Sequence, residues 1–445
     1  MNRKEFLQLT TAGAGGFFIS GTKWATVQDE EVKKVTADTK EFVLVNARLE
    51  EGFNYNDYGQ VKATQTGLYD LYIKEGKIVT IKPALGAVYD VASFDVQGKL
   101  VLPGLRDMHI HIDKTWYGEP WQAEPIRGKT VKDMIDLERR ILLDLLLHST
   151  EKAEKAIDLM NRKGTYFARC QTNIEPTSGL KSLEHLQKAL VNKKDFIQAE
   201  IVAFPQHGIL YSDSAGLLRE AAQMGVDYIG GLDPTTVDGD RKKSLDVMFQ
   251  IALEYNKGVD IHLHEGKATG LAAIEYMIDT VRANKTLQGK TFISHGFALG
   301  QLEMKKVEAL SDQLAEVGIG VISTVPIGKL NMPIPTFYKH KVQVMTGTDS
   351  IIDHWSPFGS CDMLEKAKLT AELYGWRDEF TLSRALQIAT KDQLTPLTDE
   401  GQQVWPLPGQ EATFIVVDAS CSAEAVARTP QREAVFNRGK LVYSV

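Results

Sequence analysis

Eight short runs rich in apolar and β-branched residues recur between residues 104 and 396, and amphipathic stretches separate most of them. The runs end near His111 ("LRDMHIH"), Asn173 ("TYFARCQTN"), Gln206 ("AEIVAFPQ"), Asp233 ("DYIGGLD"), Glu265 ("VDIHLHE"), Gly296 ("TFISHG"), Val325 ("GVISTV") and Asp349 ("VQVMTGTD"). Stretches between them, such as "LKSLEHLQKAL" and "SAGLLREAAQMG", carry apolar residues at helical spacing. Strands that alternate with helices read as parallel β/α units, because a parallel pair needs a crossover long enough to hold a helix. Eight units over this length predict an α/β fold of the (β/α)8 barrel type, whose typical size is about 250 residues. A doubly wound open sheet is the structural alternative, but no GxGxxG follows the first strand.

Both flanks of this region are β-rich. "EFVLVNARL" and "DLYIKEGKIVTI" precede it, with Glu75-Gly76 at a hairpin turn. "ATFIVVDAS" and "AVFNRGKLVYSV" follow it, with Arg438-Gly439 at another. Residues 40–103 and 397–445 are therefore expected to pair into one small sandwich-like β domain, and 104–396 to form the barrel. Pro103-Gly104 marks the crossing between them. Residues 1–31 read as a twin-arginine-type export signal and linker, with Arg3-Lys4 in place of paired arginines ahead of a Gly/Ala-rich apolar stretch. That predicts a periplasmic or exported protein; the alternative is a cytoplasmic one.

A net charge of −7 with no Lys/Arg block gives no reason to expect a nucleic-acid partner. No apolar run approaches the ~20 residues of a bilayer span, so stable membrane insertion is not expected. Cys170, Cys361 and Cys421 lie far apart and read as small buried residues rather than a disulfide framework. Assembly into a homo-oligomer is compatible with the sequence.

In such a barrel, active sites lie at the C-terminal ends of the strands. His109 and His111 end the first strand, and residues i and i+2 of a strand share a face. Gln206 ends the third, His262, His264 and Glu265 the fifth, His295 the sixth and Asp349 the eighth. A lone strand histidine is usually a hydrogen-bonded core or surface residue; a set gathered at strand ends is not. His109, His111, His262 and Asp349 offer three nitrogens and one oxygen to one divalent metal ion, zinc or iron, with a position left for water. Glu265 stands where it could carry a proton, and His295 where it could stabilise a tetrahedral centre. His148, His185, His207 and His340 fall outside this pattern.

Together these segments resemble the amidohydrolase superfamily, and within it the cytosine deaminase branch, over most of residues 40–445. "LPGLRDMHIHIDK" resembles its Pro-Gly and HxHxD signature, "VAFPQHGIL" a segment whose Gln binds the base, and "DIHLHE" its HxxE element. "SHG" and "GTDSIIDHWSPFGS" are similar to its strand-six and strand-eight segments. The resemblance implies His109, His111, His262 and Asp349 as metal ligands, Glu265 as proton shuttle, and His295 and Asp349 as catalytic residues. It places Gln206, Trp355 and Ser350 around the substrate. Two-metal relatives carry a bridging lysine on strand four, and "DYIGGLDP" has none, which favours a single metal.

The implied activity is hydrolytic deamination of a nitrogen heterocycle, a cytosine-like or related aminopyrimidine, triazine or creatinine-like ring, by metal-activated water. Departures qualify it. Cytosine deaminases have an acidic residue where Ser350 stands, and Leu263-His264 replaces the usual interior of HxxE. His264 is then either a contact of ligand or substrate, or a packed residue. Lys114 either faces the substrate or is solvated or salt-bridged. Hydrolysis of a cyclic amide or an N-alkyl amine is the alternative activity, and a binding protein that keeps the fold without catalysis is the third reading.

Overall fold

Two sheets organise the chain, and the crossing between them takes a single residue. The first contains β1 (Glu41–Tyr55), β2 (Val61–Lys74), β3 (Lys77–Pro83), β4 (Ala92–Asp95) and β5 (Leu100–Pro103). Gly104 then leads into β6 (Leu105–His111), the first strand of the second sheet. That sheet continues through β7 (Thr165–Asn173), β8 (Gln198–Phe204), β9 (Tyr228–Leu232), β10 (Gly258–Leu263), β11 (Thr291–His295), β12 (Ile319–Ser323), β13 (Val344–Thr346) and β14 (Asp349–Ser350). The chain returns to the first sheet with β15 (Phe414–Val417), β16 (Arg432–Asn437) and β17 (Lys440–Ser444). The computed structural model describes residues 34–445 except Lys329, so the expected export signal lies outside the described residues.

Every pair in the second sheet is parallel, in the order β6 to β13, and β14 returns to β6 with Asp349 opposite Ile110 and Ser350 opposite His111. β13 and β14 are two pieces of one eighth strand, so the sheet closes as the expected (β/α)8 barrel. Gly347 lies between the pieces. A Cβ there would stand 2.4 Å from the His109 carbonyl oxygen and 2.5 Å from its nitrogen, so only glycine lets the eighth strand close against the first. Helices α1 (Val131–Leu146), α2 (Ser149–Arg162), α3 (Lys181–Asn192), α4 (Ala215–Gln223), α5 (Arg241–Glu254), α6 (Lys267–Ala283), α7 (Met304–Val317), α8 (Ile334–Lys339) and α9 (Met363–Tyr374) make the crossovers and surround the barrel. Alternate strand residues such as Ile110, Cys170, Ala203, Ile261, Ile293 and Val321 are fully buried in one core that also holds Ile157, Leu186, Met248 and Leu314 from these helices. Burial on both faces is why the strands read as nearly continuous apolar runs.

The other sheet runs β17-β16-β15-β5-β1-β2-β3, with β4 paired to β1, so both chain ends contribute to it. Its core stacks Phe42 and Phe414 on Phe436. Glu75-Gly76 joins β2 to β3 with positive φ at both residues, the two-residue turn whose twist matches paired strands. The three cysteines are buried and free, as expected. Among the described residues no helix is long and apolar enough to cross a membrane.

Candidate active site

β6 carries an irregularity that the site depends on. Its register against β7 shifts between Asp107 and Ile110. Below the shift, Met108 packs with Phe292 and Ile322 and Arg106 lies over Phe167. Above it, His109 reaches Ser294, which shares a strand face with Phe292. The adjacent residues Met108 and His109 thus both point into the barrel, which regular alternation forbids and a bulge allows.

Four ligand candidates converge at the C-terminal rim. Asp349 Oδ1 lies 3.5 Å from Nε2 of His109 and 3.5 Å from Nε2 of His111. His262 Nε2 lies 3.2 Å from His111 Nε2. His109, His111 and His262 are 0%, 3% and 3% exposed, whereas the Asp349 side chain is 33% exposed, so the cluster opens on the carboxylate side. Phe204 of β8 stacks on the His262 ring at 3.7 Å and fixes its plane. Burial, reinforced by the surrounding imidazoles, pushes His262 well below its ordinary value. Burial and the nearby Lys114 charge do the same to His111. Burial alone would raise the Asp349 carboxyl, but the imidazoles turned toward it hold it well below the usual range. His111 and His262 held below their ordinary values and a carboxylate held below its own favour the states a divalent cation requires. His109 Nε2 is buried with no hydrogen-bond partner. The donor set therefore fits one divalent cation.

Around these four, Glu265 is 3% exposed and its Oε1 accepts from the backbone N–H groups of Thr235 and Thr236 at 2.6 and 2.9 Å. Its Oε2 is buried and has no partner. His295, 4.9 Å from His109 by ring centroids, leaves both ring nitrogens without partners. His295 and Asp349 both hold positive φ, 65° and 71°, a strained backbone of the kind that collects at functional sites. His264 donates its backbone N–H to Asp233 Oδ1 at 2.6 Å, sets Nδ1 3.0 Å from Asp233 Oδ2 and packs 4.2 Å from His295. Ser350 and Asp349 form one wall of a cavity of about 650 Å³ that also meets Val325, Ile327 and Phe358.

The surroundings of Gln206 and Lys114 depart from expectation. Gln206 is in the turn two residues beyond β8, not at the strand end. Lys114 is not solvated: it is 1% exposed. Its three protons go to Glu138 Oε2 at 3.0 Å, Asn173 Oδ1 at 3.1 Å and Gln206 Oε1 at 2.8 Å. Glu138 of α1 also accepts from Trp355 Nε1 at 2.7 Å and lies 2.8 Å from His354 Nε2. Burial opposes its ionisation, yet Lys114, His207 and His354 hold it well below the usual carboxylate range. His207 is fully buried between Glu138 and Glu175, which the sequence pattern did not show. Glu138 had a signal. It occupies the apolar stripe of α1 between Met134 and Leu142, where a charge needs a buried partner.

Comparison with known proteins gives consistent matches. The Amidohydrolase family pattern matches residues 143–443. The uncharacterized protein YahJ of Escherichia coli (strain K12) is 51% identical over 404 residues, spanning 90% of this chain and 87% of that protein. The crystal structure of N-isopropylammelide isopropylaminohydrolase from Burkholderia multivorans ATCC 17616 matches with a TM-score of 0.79 and 30% identity, over 91% of this chain and 98% of that one. That of 5-methylcytosine deaminase from Klebsiella pneumoniae matches with a TM-score of 0.73 and 22% identity, over 91% and 97%, a likeness of fold.

Proposed function

The chain belongs to the amidohydrolase family and is a hydrolase of carbon–nitrogen bonds, and on that premise we propose that it deaminates an amino-substituted nitrogen heterocycle. The observation that carries the reading is the clustering of His109, His111 and His262, with Asp349 3.5 Å from the first two, and a buried glutamate with one unpartnered oxygen three residues beyond His262. A zinc or iron ion held by those four residues would, when bound, bring the pKa of a water near neutrality and so supply the nucleophile.

The residues of the chain do the rest. Glu265, fixed through Oε1 by two backbone donors, takes a proton from the attacking water on Oε2 and passes it to the ring nitrogen. A carbon–oxygen bond forms; Glu265 then takes the second proton from the new hydroxyl and gives it to the exocyclic nitrogen, so that the exocyclic carbon–nitrogen bond breaks, ammonia leaves and the ring keeps a carbonyl and the protonated ring nitrogen. His295 holds the new oxygen through the one of its two unpartnered ring nitrogens that carries the proton. Gln206 is oriented by Lys114. An ammonium has no acceptor, so the amide oxygen must face it, and the amide nitrogen is left to donate. The bound ring then carries an acceptor at that edge, an oxo group or an unprotonated nitrogen. Trp355, its indole N–H held by Glu138 and its ring 5.8 Å from Lys114 Nζ, offers a flat surface to the ring.

A second reading, release of an alkylamine from an N-alkylamino ring, draws on two observations. Ser350 stands where a carboxylate would bind an exocyclic amine, and the cavity beside it meets Val325, Ile327 and Phe358. The N-isopropylammelide relative acts on such a substituent by its name. The test is a screen of aminopyrimidines, aminopurines, triazines and creatinine-like rings with the zinc- or iron-loaded protein. Ammonia, alkylamine and ring-opened product are scored separately. Ammonia as the main product supports deamination; alkylamine as the main product moves the assignment to the second reading.

A further inference from the structure

Inside the barrel, below the ligand cluster, runs a row of polar groups that the proposed reaction does not use. Arg169 of β7, Asp260 of β10 and Ser294 of β11 are 2%, 0% and 0% exposed. The Arg169 guanidinium lies between the rings of Tyr228 and Phe292, 4.1 Å from each centroid. It donates to Glu200 Oε2 at 2.9 Å, to the Tyr228 hydroxyl at 3.0 Å and to Asp260 Oδ2 at 3.1 Å. Asp260 Oδ1 accepts from the Ser294 hydroxyl at 2.6 Å. Ser294 Oγ stands 2.9 Å from His109 Nδ1.

The direction of each bond follows from the groups themselves. A guanidinium only donates and a carboxylate paired with it only accepts. The single proton of Ser294 is therefore committed to Asp260, and its oxygen can only accept from His109. Nδ1 of His109 must then carry the ring proton, which leaves Nε2, the nitrogen 3.5 Å from Asp349, with a free lone pair. Gln171 sets its amide nitrogen 3.3 Å from the same Nδ1. Donation from it would demand the opposite tautomer and would leave Ser294 Oγ and Nδ1 facing each other with no proton between them. The arrangement is particular to His109: Nδ1 of His111 and of His262 is buried without a partner.

We infer that Arg169, Asp260 and Ser294 form a one-way hydrogen-bond relay that holds His109 as the Nδ1–H tautomer, presenting an unprotonated Nε2 before any cation arrives. Asp260 and Ser294 are positioning residues that act through His109. The inference rests on the reading of His109 as a cation ligand, and the experiment separates the two.

Two measurements test it. Nitrogen-15 NMR of histidine-labelled, chelator-treated protein reads the His109 tautomer. Competition with a chromogenic chelator gives the zinc dissociation constant of the wild type, Ser294→Ala, Ser294→Thr and Asp260→Asn, each checked for an unchanged fold by circular dichroism. We expect Nδ1–H in the wild type and a zinc affinity about 10- to 100-fold weaker in Ser294→Ala, the usual scale for losing such a partner. The hydroxyl of Ser294→Thr should recover most of it. The amide introduced by Asp260→Asn can donate to Ser294 and so reverse the chain, which should move His109 toward Nε2–H and weaken zinc at least as much. Should Asp260→Asn fail to fold, Ser294→Ala decides, since it keeps the Arg169–Asp260 pair. An Nε2–H tautomer in the wild type, or wild-type zinc affinity in Ser294→Ala, overturns the relay. A wild type that has the Nδ1–H tautomer but binds neither zinc nor iron overturns the cation reading and leaves the relay standing.

Discussion

The Lys114 ammonium sits 2.8 Å from the side-chain oxygen of Gln206, and this contact sets which half of the amide is available to a ligand. Gln206→Glu tests it with little change of shape. The carboxylate would keep the Lys114 contact as an ion pair, but its second oxygen would face the substrate as an acceptor. Losing a donor to a ring acceptor is worth about 1–3 kcal/mol, so kcat/KM should fall about 10- to 100-fold. KM should carry most of that loss, with the metal content unchanged. Steady-state kinetics on the best substrate from the screen check this; an unchanged kcat/KM would show that Gln206 does not donate to the ring.

The same lysine has a structural consequence. Lys114 and Glu138 are both buried, and each is the other's main counter-charge. Lys114→Met removes the ammonium beside Glu138 and leaves the buried carboxylate to His207, His354, Trp355 and Asn173. Removing one partner of a buried pair destabilises by about 3–5 kcal/mol. Denaturant unfolding should show a loss of that order, and Lys114→Met combined with Glu138→Gln should lose less than Lys114→Met alone. A larger loss in the double variant would show that the two charges are not coupled.

Glu265→Gln separates proton transfer from cation binding. The amide oxygen of that variant can still accept from Thr235 and Thr236, so the local fold is kept, but the side chain can no longer take up a proton. Turnover should drop at least ~100-fold, the scale of general acid–base catalysis, while elemental analysis still finds about one equivalent of zinc or iron per chain. Near-normal turnover would remove Glu265 from the mechanism.

The barrel and the polar residues gathered at its rim were legible because their signals are local. Apolar runs such as "IVAF" and "TFISH" mark strands buried on both faces, and polar residues at their ends mark the rim. The β6 bulge that turns both Met108 and His109 inward leaves no such mark, since alternation alone cannot show where a strand's register shifts. Nor can the sequence pair Lys114 with Glu138 or His109 with Ser294, which lie 24 and 185 residues apart. An isolated lysine in a sequence carries no sign of three buried acceptors, so nothing local marks Lys114 as buried. His207 escapes the pattern for a related reason. It follows a strand by three residues, outside the rim, and only the fold places Glu138 and Glu175 on either side of it.

Glu50 gives a pH dependence remote from the active site. It is 1% exposed, and burial raises its carboxyl above the usual value of 4.5, with the Ser422 hydrogen bonds and the Arg384 charge offsetting part of the effect. A folded-state value above the unfolded one means that the native protein binds this proton more tightly. Stability from this group is complete below about pH 4.5 and is lost as pH rises through the folded value. Glu50→Gln removes the charge that must otherwise be buried. Its melting temperature should exceed that of the wild type by about 1–3 °C at pH 7, and the gap should close near pH 4. A gap of the same size at both pH values would assign the effect to packing instead.

Ser350 is where the choice of leaving group should be decided. It follows Asp349 directly, pairs with His111 across the barrel seam and lines the cavity with Val325 and Phe358. A serine hydroxyl tolerates an apolar substituent on the exocyclic nitrogen; a carboxylate would demand N–H donors there. Ser350→Asp should therefore raise kcat/KM for an amino-substituted ring relative to its N-alkylamino counterpart by about 10-fold or more, the usual scale for one charge-assisted hydrogen bond gained by one substrate and denied to the other. The comparison uses two substrates that differ only at that nitrogen, with ammonia and alkylamine measured separately. The ratio is informative even if both rates fall, because a change in cation affinity affects the two substrates alike. A ratio that stays fixed, or that moves toward the alkylated ring, would place the exocyclic nitrogen away from Ser350 and shift the specificity wall to the Gln206 and Trp355 side.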